Sequence, residues 1–173
     1  MLKRWMAMVG LIAVVGLTAW YGMPGKQARL EVDKPSLPFV LPDLAGKMQS
    51  LAAGEVILLN FWATWCPPCR QEMPSMASLY NRFKDKGFNV VAISVDRDAN
   101  GLAGFVREYQ LPFQVLHDKG SEVSHLYGVF RYPESFLIDR NGIVRHHLVG
   151  AVEWMTPEII SEIEALLAEP VQG

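Results

Sequence analysis

Apolar and polar positions along this chain fall into short segments that delimit its elements one by one. Phe39 to Leu44 and Met48 to Leu51, separated by Ala45-Gly46-Lys47, carry the pattern of a small amphipathic hairpin at the start of a domain, expected to cover a sheet edge. Val56-Ile57-Leu58-Leu59-Asn60-Phe61-Trp62 and Val90-Val91-Ala92-Ile93-Ser94-Val95 are near-continuous apolar runs, as in strands buried on both faces. Between them Cys69 to Lys86 has helical spacing. Ala99 to Gln110 predicts a second helix, Phe113 to His117 a strand, and Glu122 to Tyr127 a further short helix.

Ser135 to Ile138 and Ile143 to Leu148 flank Asp139-Arg140-Asn141-Gly142, a hairpin signal because Asn-Gly tolerates positive φ. The sheet is therefore mixed. Thr156 is placed to cap a last helix with Pro157 at its first position and Glu158 near its positive end, and Ile159, Ile160, Ile163, Leu166 and Leu167 form its core stripe. Together these segments predict an α/β layer fold with helices on both faces of a mixed central sheet.

The 173 residues, 50% apolar and 20% charged, suffice for one packed domain and a short appendage. A net charge of −2 spread over mixed-sign stretches leaves no basic block for phosphates, so no nucleic-acid partner is expected. Two cysteines cannot supply four zinc ligands, and His117, His125, His146 and His147 stand at no recognised ligand spacing, so no metal is expected.

The appendage is amino-terminal. Lys3 and Arg4 precede an uncharged, mostly apolar run from Trp5 to Met23, about the length that spans a hydrocarbon core. A cleaved signal peptide fits less well, because Leu17-Thr18-Ala19 is followed by bulky Trp20 and Tyr21. Trp5 at one end and Trp20 with Tyr21 at the other suit the two interfaces, with Lys3 and Arg4 cytoplasmic. The expected organisation is a signal-anchor helix over residues 1–23, a linker over 24–36, and a domain over 37–173. That domain would lie on the extracytoplasmic side of a bacterial cytoplasmic membrane.

The candidate chemistry lies in Cys66 and Cys69, the only cysteines, at the exit of a buried strand and the start of a helix. A C-x-x-C in that α/β context is a redox signal, and its loop is too short for a cross-link to stabilise the fold much. With Cys66 as the helix N-cap, the helix dipole favours its thiolate and makes it the attacking sulfur. Cys69, one turn further in and more buried, becomes the resolving thiol.

Pro67 and Pro68 occupy helical positions whose N–H groups would have had no partner within the helix. They also cannot donate to the Cys66 thiolate, leaving the Cys69 N–H as the main nearby donor, which predicts a reductant rather than a strong oxidant. Glu72, one turn after Cys69, is either a surface glutamate favoured by the dipole or a carboxyl that exchanges a proton with Cys69. Arg70 reads as surface charge, and Pro74 as a helix kink.

The motif Trp65-Cys66-Pro67-Pro68-Cys69, the opening FVLPDLAGK from Phe39 to Lys47, and Tyr132-Pro133-Glu134-Ser135-Phe136-Leu137-Ile138-Asp139 resemble the membrane-tethered thioredoxin-like proteins of the TlpA, ResA and CcmG kind. The resemblance covers about residues 36 to 168. It implies a thioredoxin-like fold with an insertion over Ala99 to His117, and a cis bond before Pro133 facing the cysteines. Trp65, Tyr132 and Pro133 would then contact substrate, although Tyr132 replaces the small or β-branched residue common at its position. Glu72 would tune the thiols, and Glu134 fits the Pro-Glu pattern of cytochrome c maturation members, or else is strand surface.

The activity so implied is thiol–disulfide exchange through Cys66, Cys69 and Glu72 without a cofactor beyond the cysteine pair. The expected direction is reduction of disulfides in exported proteins, apocytochrome c among them, with electrons from a membrane thiol reductase. Two alternatives stand beside it. A thiol peroxidase of related fold would want a threonine or serine at Ala63 and a proline at Leu59, and a copper-delivery module would use the thiolates for Cu(I). Covalent haem attachment is excluded, since Arg70 stands where histidine is required.

Overall fold

A computed structural model describes residues 31–171. The apolar run from Trp5 to Met23, read above as a membrane anchor, lies outside the described residues, as does most of the linker. Among the described residues no helix is long and apolar enough to cross a membrane.

The run predicted to be buried on both faces forms β3, Val56–Trp62, buried at every residue. It is the middle of a five-stranded sheet, paired in parallel with β4, Phe88–Ser94, and antiparallel with β6, Glu134–Ile138. β5, Gln114–His117, extends the parallel side, and β7, Val144–Val149, completes the antiparallel side. The register sets Trp62 beside Ser94 and Phe61 beside Glu134, so the ends of β3 and β4 and the start of β6 meet at one edge. The candidate site lies there.

Period-two alternation divides the strand residues between two cores. On one face Leu58, Trp62, Val90, Ala92 and Leu137 pack against helices α1, Pro67–Phe83, α2, Ala99–Glu108, and α4, Pro157–Ala168. On the other, Ile57, Leu59, Phe61, Ile93 and Phe136 pack against Val123 of α3, Glu122–Leu126, the following Tyr127 and Val129, and Phe39 and Leu41 of the amino-terminal hairpin. Helices thus cover both faces, three on one side and a short one with the hairpin on the other.

The hairpin pairs only β1, Leu41–Pro42, with β2, Met48–Gln49, because Asp43 turns the chain by accepting the Ala45 and Lys47 N–H groups. A bridge from Asp43 to Leu116 fastens it to β5, the edge it was expected to cover. In the β6–β7 turn Asp139 accepts the Asn141 and Ile143 N–H groups, and Gly142 takes φ +79°, so glycine alone supplies the left-handed residue. Thr156 caps α4 through the Ile159 N–H, with Pro157 at its first position as expected.

α1 runs unbroken through Pro74, and a 3₁₀ turn over Lys84–Lys86 continues it. Residues 33–36, at the end of the stretch read as a linker, bond to the start of β7 through Asp33 N to Val144 O and Val144 N to Lys34 O. That attachment is at the opposite end of the sheet from the cysteines.

Candidate redox site

The site is built on the first turn of α1. Cys66 is its N-cap, with φ −95° and ψ 105°, and Pro67 and Pro68 occupy the first two helical positions. Cys66 and Cys69 are joined by a disulfide, their Cα atoms 5.3 Å apart. The Cys69 N–H donates to Cys66 Sγ at 3.3 Å. Cys66 keeps 5% of its surface exposed and Cys69 none, so the outer sulfur is the accessible one.

Asp96, just past the end of β4, holds the segment that leads into the cysteines. Its carboxylate accepts the Thr64 N–H at 2.9 Å, the Thr64 hydroxyl at 2.6 Å and the Ser94 hydroxyl at 2.7 Å. The Asp96 carbonyl accepts from His117 Nε2 at 2.6 Å, which ties the clamp to β5. Trp65, between the clamp and Cys66, is thereby turned outward and is 64% exposed.

The loop before β6 forms the opposite wall. The Tyr132–Pro133 bond is cis, and the Tyr132 carbonyl oxygen lies 3.5 Å from Cys66 Sγ. The Tyr132 ring meets Trp65 edge to face at 6.0 Å, and its hydroxyl is 3.2 Å from that of Ser124. Glu134 is buried rather than exposed on the strand, with Oε2 2.7 Å from His147 Nε2. His147 stacks flat on Phe136 at 4.4 Å, so the carboxylate has a fixed partner behind the loop.

Glu72 is buried, contrary to the surface reading of a first-turn glutamate. Asn60 in β3 donates to its Oε1 at 2.8 Å, and the Val152 N–H donates to its Oε2 at 3.0 Å. The Trp154 indole N–H faces the same carboxyl without closing a hydrogen bond. Burial raises the Glu72 pKa from 4.5 to about 7, against the lowering effect of Val152, Asn60 and Trp154. The carboxyl can therefore change protonation state near neutral pH.

The AhpC/TSA family model matches residues 32–147. The chain belongs to that family. Within it, the chain is 40% identical over 152 residues to the thiol-disulfide oxidoreductase ResA of Bacillus cereus, covering 87% of this chain and 88% of the relative. It is 37% identical over 160 residues to the thioredoxin-like protein YneN of Bacillus subtilis, covering 88% and 93%. Among solved structures, a putative thiol:disulfide interchange protein DsbE from Chlorobium tepidum superimposes with a TM-score of 0.75 at 36% identity, over 80% of this chain and 99% of that one.

With such relatives and the Cys66–Cys69 pair in place, this AhpC/TSA family member is a thiol–disulfide oxidoreductase. The structure brings together the six residues singled out in the sequence: Cys66, Cys69 and Glu72 on α1, and Trp65, Tyr132 and Pro133 around the outer sulfur. Sequence reasoning missed Asn60 and Asp96. Each carried a signal: Asn60 is the lone polar residue in the buried run of β3, and Asp96 follows the end of a parallel strand, where α/β sheets place functional groups. Arg70, read as surface charge, is exposed but bonds Tyr109 Oη at 2.7 Å, tying α1 to α2.

Proposed function

We propose that this oxidoreductase works as a reductase of disulfides in exported proteins. One observation carries the direction: with prolines at both first helical positions, the Cys69 N–H is the one backbone donor that bonds Cys66 Sγ. A thiolate with few donors is weakly stabilised, so the reduced form gives up its electrons readily.

In the proposed cycle the Cys66 thiolate attacks one sulfur of a partner disulfide, forming a mixed disulfide and releasing the partner's other sulfur as a thiolate that takes up a proton. Cys69 then loses its proton to Glu72 and attacks Cys66 Sγ, which frees the second partner thiol and leaves the Cys66–Cys69 disulfide. Two electrons have moved to the partner. A membrane thiol reductase returns them, and no cofactor beyond the cysteine pair takes part.

Trp65, Tyr132 and Pro133 surround the outer sulfur and are the proposed substrate contacts. Disulfide-bonded apocytochrome c is the proposed substrate, a reading supported by the resemblance of the Pro133-Glu134 pair to the cytochrome c maturation pattern and by the burial of Glu134. The proposed setting is extracytoplasmic, where partner disulfides form and persist. The run from Trp5 to Met23 would provide the single-span anchor, and release of the full-length protein from membranes by alkaline carbonate would count against it.

The deciding measurement is the reduction potential of the cysteine pair, obtained by equilibration against dithiothreitol or glutathione and read from Trp65 emission. A value near the roughly −270 mV of thioredoxin is expected, whereas one near −120 mV would make the protein an oxidant.

A further inference from the structure

A groove of about 500 Å³ is lined by Trp65 and Tyr132, which flank the outer sulfur, together with Asp96, Arg97, Asp98 and Ser121. Three charged side chains line it, and two are already engaged. Asp96 is buried and holds Thr64 and Ser94. Asp98 caps α2 by accepting the Asn100 N–H at 3.0 Å and the Gly101 N–H at 3.1 Å, so its charge faces the positive end of that helix.

Arg97, between them, is exposed and makes no hydrogen bond or ion pair among the described residues. Its guanidinium is the charge in the groove left to meet a ligand, with planar donors that suit a carboxylate. Ser121, left-handed at φ 56°, has a hydroxyl unused for capping α3 and adds a neutral donor to the groove lining. The Trp65 and Tyr132 rings meet at 84° and offer an apolar corner, and the Tyr132 backbone carbonyl oxygen lies 3.5 Å from Cys66 Sγ.

We propose that this groove is a specificity subsite for the partner polypeptide, with Arg97 recognising an acidic side chain close to the attacked cysteine and the Trp65–Tyr132 corner taking an apolar neighbour. The proposal rests on the reductase reading above and names the chemistry of its substrate. An exposed charge pair of this kind acts mainly on encounter rate and register, so its signature is a charge-dependent, salt-sensitive rate.

The test uses disulfide-bonded model peptides that differ by one residue, Glu, Gln or Lys, scanned through the positions flanking one cysteine. The pre-reduced protein is mixed with each, and the second-order rate of peptide reduction is followed. At one position the Glu peptide is expected to react about five- to tenfold faster than the Lys peptide at low salt, the ratio collapsing at high salt. Arg97→Glu should invert that ratio, and Arg97→Gln should bring it near one.

Equal rates for Glu and Lys peptides at every position, with all of them reduced, would overturn the subsite and leave the reductase reading standing. If no peptide is reduced, Gln peptides included, both fall together. Glutathione disulfide showing the same dependence on Arg97 as the Glu peptide would assign the cation to a small carboxylate and overturn the polypeptide assignment.

Discussion

Asn60 donates a 2.8 Å hydrogen bond to the Glu72 carboxyl while its own carbonyl oxygen, equally buried, has no partner. The second amide hydrogen goes to the Ser135 hydroxyl at 2.9 Å, so the amide faces two acceptors. That arrangement suits an ionised Glu72. Once protonated, the carboxyl needs an acceptor, and a half-turn of the Asn60 amide would present its carbonyl to both the Glu72 and Ser135 hydroxyls. The side chain is thus matched to either protonation state of its neighbour.

Glu72→Gln is the first consequence to test. Burial raises the Glu72 pKa from 4.5 to about 7, so between those values the folded protein binds a proton that the unfolded chain has lost. Unfolding free energy must then fall as pH rises through that window, the stabilisation being fully present below 4.5 and lost above 7. The loss amounts to at most about 3 kcal/mol. Urea unfolding at pH 5 and pH 8 should show Glu72→Gln gaining on the native sequence at the higher pH, and a difference that does not move with pH would mean that Glu72 does not titrate there.

Asn60→Leu removes a donor to the carboxylate and leaves its burial in place. A hydrogen bond to a charged group contributes roughly 1.5–3 kcal/mol, so the Glu72 pKa should climb by about one unit or more above its present value. If ionised Glu72 takes the Cys69 proton, as in the proposed cycle, the peptide-reduction rate should rise as pH passes the Glu72 pKa, and that rise would move by the same amount. An unmoved pH profile would show that Glu72 does not govern the rate.

These two residues also mark where the sequence stops being legible. Every strand and helix of the domain was readable from its apolar spacing, because burial in a two-faced sheet leaves unbroken runs such as Val56–Trp62. The C-x-x-C at the end of that run places the thiols at the first helical turn. Helical spacing could also place Glu72 one turn beyond Cys69. It could not say whether that face was covered, since the cover comes from Val152 and Trp154, about 80 residues away. Glu134 was ambiguous for the same reason, its partner His147 lying on the next strand.

Asp96→Ala should destabilise the domain and slow it together. The buried carboxylate satisfies the Thr64 N–H and two hydroxyls, and its removal leaves those donors without their partner, at a cost of about 2–3 kcal/mol. Because Thr64 leads directly into Trp65 and Cys66, loosening it should also reduce the rate of attack. Amide exchange would locate the change, with protection of the Thr64 N–H falling more than that of β3; uniform loss would indicate a general effect on the core instead.

Cys69→Ser separates the two sulfurs by function. Cys66 is the sulfur with exposed surface and with the Tyr132 carbonyl 3.5 Å away, whereas Cys69 is fully enclosed beneath it. If attack and resolution divide as that geometry indicates, the variant should form the mixed disulfide with a peptide and stop, because a hydroxyl cannot displace it. Mass spectrometry should find one peptide attached, through Cys66, and Cys66→Ser should give no adduct at comparable rate because Cys69 cannot be reached. Stable adducts on Cys69 in the second variant would mean that the helix end opens far enough to expose the inner thiol, and the assignment of attacking sulfur would have to be reversed.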